Sequence, residues 1–320
     1  MITFRALPFS LLLLLHMLVA YPLIIAFCAA LGLPAALFAG LLWLLFPPAI
    51  VIIVVTIFLF ATSVLPVLVA LRQGLVIKGI KPLNTYLQLV WPMFTYGFII
   101  GFVLTFIVMG GIGYFIWQAG LTMEDYALYQ DPRQRNIVSA KLLAQTPLAI
   151  RVSVVVFVLT CSFLAAILIP LAGASVGRDL NGQRHTPFFG FGTGFVPLIV
   201  LVVLGMAITV MSNEIAIWIA SLVGAEDAAR GALQFEQLLR NSDFDPNWKL
   251  KLGLGLLATT TIGIFAMCIY CAGAILVYIE ATQIVENSLP EPEVVRSTPR
   301  MTSDEVHAMW KDRMPRLDDE

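Results

Sequence analysis

Long apolar stretches alternate with short polar connections along this chain. From Ala6 to Leu71 the sequence contains no Asp, Glu, Lys or Arg. About 20 apolar residues are enough for a helix to cross the hydrocarbon core of a bilayer, so this pattern predicts membrane-spanning helices. The predicted fold class is therefore an all-α, polytopic membrane helical bundle.

Six of the apolar stretches predict transmembrane helices. The run after the first span is broken at Pro47-Pro48, and its first part, Leu33 to Phe46, is too short to cross. We expect that part to lie at the membrane surface or to re-enter. The six predicted spans are residues 7–31, 49–71, 90–117, 151–177, 195–223 and 250–279. They form one transmembrane domain, 1–285, followed by a tail, 286–320.

Basic residues follow the second and fourth predicted spans. Arg72, Lys78 and Lys81 follow the second span, and Arg178 and Arg184 follow the fourth. Because positively charged connections stay in the cytoplasm, these loops and both termini are predicted to be cytoplasmic. We expect a multi-pass protein of a bacterial-type inner membrane.

The composition agrees with a membrane protein and argues against several function classes. The chain is 59% hydrophobic and 12% charged, whereas soluble domains carry about 25% charged residues. The sequence contains no HExxH motif, no paired intramembrane carboxylates and no basic, aromatic surface for nucleic acid. We therefore expect a protein that is not an enzyme, binds no nucleic acid and carries no cofactor.

His16 is one candidate for a ligand site, since it lies near the middle of the first predicted span. A single axial histidine could hold a haem or a chlorophyll-type pigment. The chain has only two other histidines, His185 and His307, both outside the predicted spans. The alternative, which we favour, is a side chain that donates a hydrogen bond to a carbonyl of a neighbouring helix.

Glu214 is the acidic residue that lies within a predicted span. Ionisable groups at such positions are costly and often functional, which makes Glu214 a candidate proton or cation site. Counted from Phe195, however, it lies about 29 Å along the helix, near the outer headgroups. An interfacial acid without a transport role is the alternative.

Small residues recur every four positions in two of the spans. Gly97 and Gly101 do so in the third span, and Gly255 and Gly263 fit the same spacing in the sixth. Small faces allow helices to approach closely, so these residues are predicted interaction positions. The partner helix can belong to this chain or to another.

Cys268 and Cys271 have CxxC spacing, but an apolar span favours packing over redox or metal chemistry.

Polar segments outside the spans supply further candidate interaction sites. Residues 225–240 are predicted to form an outer amphipathic helix. In the tail, a capping box at Thr302 precedes a helical pattern that includes Trp310, which predicts a short helix with one apolar face. His185, beside Arg184, belongs either to a solvated turn or to a site for an anionic headgroup.

Two functions remain open from the sequence. The first is a non-catalytic membrane subunit, assembly factor or scaffold, whose partners are lipids, other membrane subunits or a second copy. The alternative is a permease or exporter of an apolar or lipid-like solute, with a pathway near the broken helices of spans two and five. The scarcity of buried charge disfavours ion coupling and favours the first function.

Overall fold

The computed structural model describes residues 2–45, 48–122, 125, 144–222 and 248–288. These residues are almost entirely helical. In chain order the helices are α1 (Ile2–Leu45), α2 (Pro48–Ile77), a 3-10 turn (Leu87–Leu89), α3 (Val90–Gln118), α4 (Thr146–Val176), α5 (Phe195–Val210), α6 (Ser212–Leu222) and α7 (Trp248–Ser288). The prediction of an all-α polytopic bundle is confirmed. The outer helix at 225–240 and the tail around Trp310 lie outside the described residues.

Five of the helices are long and apolar enough to cross a membrane. They contain the segments Ile2–Ala30, Phe58–Ile77, Leu87–Gln118, Thr146–Val176 and Leu257–Val285. A sixth crossing follows if α5 and α6, which meet at an angle of 63° around Met211, form one broken span. This number agrees with the six crossings predicted, and the bend falls inside the fifth predicted span, 195–223.

The first helix differs from its prediction. Its backbone stays helical from Ile2 to Leu45, whereas we expected a separate segment to begin at Leu33. Pro22 and Pro34 lie within this helix, and neither ends it. Proline is tolerated inside membrane helices because neighbouring groups can satisfy the freed backbone carbonyls. At 1.5 Å per residue α1 is about 66 Å long, so only part of it can lie within the bilayer core.

Helix α7 lies at the centre of the bundle and α3 at its edge. In an apolar window of 18 residues, 67% of the α7 residues are buried, compared with 11% of the α3 residues. Helix α7 contacts α1, α2, α4, α5 and α6. Exposed apolar side chains along α3, such as Phe102 and Phe106, suit a helix that faces lipid.

The two basic connections meet at one end of the bundle. The α2–α3 connection and the α4–α5 connection are joined there by a backbone hydrogen bond from Leu83 N–H to the Val176 carbonyl, 2.8 Å long. We call this the basic end. The prediction that both basic loops face the same side agrees with this arrangement, and most of the hydrogen-bonded polar side chains discussed below cluster here.

Candidate functional site

The last turn of α4 is capped by groups from the α2–α3 region. A helix leaves its final four carbonyls without intrahelical partners, and each must find a donor elsewhere. The Ala174 carbonyl accepts from Asn84 Nδ2 at 3.1 Å, and the Ser175 carbonyl accepts from Arg72 Nη1 at 3.2 Å. The Val176 carbonyl accepts from Leu83 N–H. These contacts join the C-terminal end of α4 to the end of α2.

Gly177 ends α4 because its backbone is left-handed, with φ 74°. The Arg178 N–H then donates to the Gly173 carbonyl at 3.1 Å, as in the Schellman motif. A Cβ at Gly173 would lie 2.8 Å from the Arg178 carbonyl oxygen and 3.0 Å from His185 Nδ1. The connection folds back this closely because both positions are glycine.

Asp179, His185 and Tyr96 form a polar chain at the basic end. The Tyr96 hydroxyl lies 2.8 Å from His185 Nε2, and His185 Nδ1 lies 3.4 Å from Asp179 Oδ1. A carboxylate oxygen facing Nδ1 favours the tautomer that carries the proton there, so Nε2 accepts from the tyrosine O–H. Asp179 also accepts from the Thr186 backbone N–H and hydroxyl, both at 2.8 Å.

Burial changes the titration of this histidine. Desolvation lowers the pKa of His185, and the nearby Asp179 carboxylate opposes that shift without cancelling it. At neutral pH the ring is therefore neutral. Tyr96 is 2% exposed, so its phenol cannot reach a substrate in this conformation. The chain Tyr96–His185–Asp179 joins the α4–α5 connection to α3.

Tyr278 of α7 fixes the same connection from the other side. Its hydroxyl donates to the carbonyls of Arg178 and Asp179, at 2.8 and 3.2 Å. The basic end is thus a hydrogen-bonded network joining α2, α3, α4 and α7 through Arg72, Asn84, Tyr96 and Tyr278. This network fixes the positions of those helices relative to one another.

A cavity of about 250 Å³ lies between five helices of the bundle. Helices α2, α3, α4, α5 and α7 contribute Val64, Leu104, Leu168, Met206 and Tyr270, respectively. Ser63 and Tyr270 supply the polar atoms of a wall that is otherwise apolar. The Ser63 hydroxyl donates to the Phe60 carbonyl at 2.7 Å, so its hydrogen is already engaged. Such a wall suits an apolar ligand.

The two ionisable candidates from the sequence lie far apart in the chain and in different surroundings. His16 is exposed, and its Nδ1 lies 2.9 Å from the Leu12 carbonyl of its own helix. A helix carbonyl was the expected type of partner, although we expected one from a neighbouring helix. Glu214 is exposed in the first turn of α6, just beyond the bend at Met211. Neither residue lines the central cavity.

The glycine candidates fall into two groups. Gly97 and Gly101 pack within the chain: a Cβ at Gly97 would lie 2.7 Å from Ala61 N, and one at Gly101 would lie 2.8 Å from Phe60 Cδ2. Among the described residues, no atom lies within 4 Å of where a Cβ at Gly263 would project. The surroundings of Gly255 and the position of Trp310 lie outside what the structure describes.

The cysteines of α7 are buried within the bundle. Cys268 and Cys271 are both free thiols with 0% exposure. In the described part of the chain no group of three or more His, Cys, Asp or Glu side chains is arranged to hold a metal ion. The packing interpretation of the CxxC spacing is consistent with these surroundings.

Sequence reasoning did not identify Asp179, Asn84, Tyr96 or Tyr278 as a group. Each is a single polar residue near a span end, and hydrogen-bond partners 90 to 100 positions apart leave no local pattern. One signal was present. Asn181-Gly182 is a dipeptide typical of tight turns, and it marks 178–184 as a hairpin whose flanking polar residues, Asp179 and His185, come close together.

Comparison with models of known protein families, with curated protein sequences and with solved structures gave no match to this chain.

Proposed function

We propose that this protein is a non-catalytic permease or carrier for an apolar or lipid-like solute, and that the central cavity is its solute site. The observation that carries the proposal is the apolar cavity of about 250 Å³ at the junction of five helices. An engineered apolar cavity of about 150 Å³ in a soluble protein stays dry and binds benzene, so this cavity has room for a small apolar molecule.

The broken fifth span supports the same function. Met206 lines the cavity on α5, and the bend between α5 and α6 follows at Met211. In many transporters the substrate site lies beside discontinuous membrane helices. From the sequence this function was the alternative, and its pathway was expected near the broken helices of spans two and five. The apolar wall fits a solute that needs no charged partner.

The proposal is tested by titrating benzene into the full-length protein in a bilayer nanodisc, with 13C-methyl methionine as the reporter. We expect the Met206 methyl resonance to shift saturably, because Met206 lines the cavity. Met211 is 55% exposed and does not line the cavity, so it should shift only as bulk lipid-facing methyl groups do. A linear, unsaturable shift at Met206 would contradict a solute site.

A matched pair of variants assigns the binding to the cavity. Ser63 is exposed but lines the cavity, so Ser63→Phe adds a ring at the cavity wall and should abolish the saturable shift. Thr105→Phe makes a comparable change on the exposed surface of α3 and should leave the shift intact. Equal shifts in both variants would indicate that benzene binds elsewhere.

A membrane subunit or scaffold is the second candidate, favoured by Gly263. The open space beside this glycine would allow a helix of another protein to approach α7 closely. The test is purification from native membranes in mild detergent, comparing the wild-type protein with Gly263→Leu. A stoichiometric partner that is lost only from the variant would support this function. For either function we propose a bacterial-type inner membrane with both termini in the cytoplasm.

A further inference from the structure

A groove on the outside of the bundle runs between α1 and α2. It consists of two adjoining cavities, of about 370 and 710 Å³, that share Ala20, Leu23, Gln73 and Tyr86. Along α1 the lining extends from Leu15 to Phe27, which is about 18 Å at 1.5 Å per residue. We call this feature the α1–α2 groove.

The α1–α2 groove is separate from the central cavity. The two share no lining residue, and α2 turns opposite faces to them. At 100° per residue, Ser63 and Val67 of the central cavity lie on one side of α2, whereas Val69 and Gln73 of the groove lie on the other. The groove can therefore hold a ligand whether or not the central cavity does.

Two hydrogen-bond acceptors lie at the polar end of this groove. Gln73 Oε1 is buried, and among the described residues it has no hydrogen-bond partner. His16 lines the same part of the groove. Because its Nδ1 must donate to the Leu12 carbonyl at 2.9 Å, Nε2 of the neutral ring is an acceptor. Gln73 lines both cavities, so a turn of its terminal amide brings Oε1 to the groove, where a molecule that donates a hydrogen bond can satisfy both Oε1 and His16 Nε2.

The rest of the lining is apolar and suits a chain. Leu23, Ile24 and Phe27 of α1 face Leu65 and Val69 of α2. Leu23 is 74% exposed, so the groove opens sideways along the bundle surface. In a membrane this side is accessible to acyl and isoprenoid chains. The polar acceptors at one end then select among molecules that have such chains.

We infer that the α1–α2 groove binds an amphiphile with an apolar tail and a hydroxyl headgroup, whose O–H donates to Gln73 Oε1. An unpartnered buried acceptor costs about 1–3 kcal/mol, so a donor that reaches it gains affinity over an otherwise identical molecule that lacks one. His16 Nε2 can accept a hydrogen bond from a second hydroxyl of the ligand, or from the same hydroxyl when it is not bonded to Gln73.

The test uses two photoreactive probes that differ only in the headgroup. One is hexadecan-1-ol with a diazirine in its chain, and the other is the methyl ether of the same alcohol, which cannot donate. Full-length protein in phosphatidylcholine vesicles is labelled with each, and the labelled peptides are identified by mass spectrometry. We expect the alcohol to label the segments 15–27 and 65–77 about two- to tenfold more than the ether does.

Three variants separate the headgroup from the tail. Gln73→Leu should bring the alcohol-to-ether ratio to about one, while Gln118→Leu, the same change on an exposed residue at the far end of α3, should leave the ratio unchanged. Leu23→Trp should reduce labelling by both probes. The ratio is measured within one preparation, so a lower yield of folded variant does not alter it.

Two results would overturn the inference. Equal labelling of the groove by alcohol and ether in the wild-type protein would mean that the groove accepts any apolar chain without using Gln73. Labelling spread over all the lipid-facing helices, with no preference for 15–27 and 65–77, would mean that no groove site exists.

Discussion

Arg72 holds Asn84 by both its side chain and its backbone: Nη1 donates to Asn84 Oδ1 at 2.6 Å, and Nη2 donates to the Asn84 carbonyl at 2.7 Å. The arginine is only 5% exposed, and its guanidinium also stacks on Tyr86, 4.4 Å from the ring centroid. Its charge is stabilised by carbonyl oxygens, one of them in the negative C-terminal turn of α4. The buried guanidinium therefore stabilises the basic end through hydrogen bonds to neutral oxygens and not through a surface ion pair.

Replacing this cation should destabilise the whole bundle. Arg72→Met removes three hydrogen bonds and leaves carbonyls of Asn84 and Ser175 with fewer donors, for a loss of about 2–4 kcal/mol in the free energy of unfolding. Arg72→Lys should recover little of it, since one ammonium cannot reproduce the guanidinium fork. Thermal unfolding in mild detergent measures the effect. Lys81→Met is the control, because Lys81 is exposed on the same connection.

The stability of the protein should fall in mild acid because of His185. Burial lowers the pKa of this histidine in the folded state, so the unfolded chain binds the proton first as the pH falls. Stability is thus retained above about pH 6.5, the unfolded value, and is lost as the pH falls from there through the lowered folded pKa. His185→Gln should remove this part of the pH dependence, and His16→Gln should not. Unfolding temperatures measured against pH would refute the account if both variants behaved like the wild type.

The α4–α5 connection should loosen when its link to α7 is removed. Tyr278→Phe deletes the donor to the Arg178 and Asp179 carbonyls, at a cost of about 1 kcal/mol. Amide hydrogen exchange should become about fivefold faster in residues 178–186 while the helices keep their protection. Tyr114→Phe, at a tyrosine that is 49% exposed, should leave exchange unchanged. Unchanged exchange in Tyr278→Phe would show that this contact does not hold the connection.

The contact between α2 and α3 should be sensitive to a single methyl group. Gly97→Ala would bring a Cβ against the Ala61 backbone, which cannot move aside without displacing α2, and we expect a loss of about 1–3 kcal/mol. Gly113→Ala meets no described atom within 4 Å and should not lower the stability, since alanine favours a helix over glycine. Equal unfolding temperatures for the two variants would contradict the close approach of these helices.

The fold was largely predictable because its main determinant is local. A stretch without charges such as Ala6 to Leu71 has no soluble alternative, and hydropathy alone locates its helices. The ends and bends of the helices were less predictable. Nothing at Leu31 or Pro34 stops α1, and the bend at Met211, directly before Ser212-Asn213-Glu214, lies inside the stretch 195–223 that hydropathy predicts as one span. The hydrogen-bonded network at the basic end was the hardest part to predict, since the pairing of Tyr96 with His185 depends on how α3 packs beside α4.

Glu214 should not contribute to solute binding. Its carboxylate is exposed in the first turn of α6, where the helix dipole favours a negative charge, and it does not line the central cavity. Glu214→Gln should therefore bind benzene with the wild-type affinity and the same pH profile between about pH 5 and pH 8. A changed profile would indicate a proton-coupled role for this residue.

The most direct test of the central claim is to identify what the cavity holds in native membranes. The wild-type protein, Ser63→Phe and Thr105→Phe would be purified in mild detergent, and the extracted small molecules and co-purifying proteins would be identified by mass spectrometry. We predict an apolar or lipid-like compound bound to the wild type and to Thr105→Phe, and absent from Ser63→Phe. The same compounds on all three proteins, together with a stoichiometric protein partner, would contradict the permease and favour the membrane subunit.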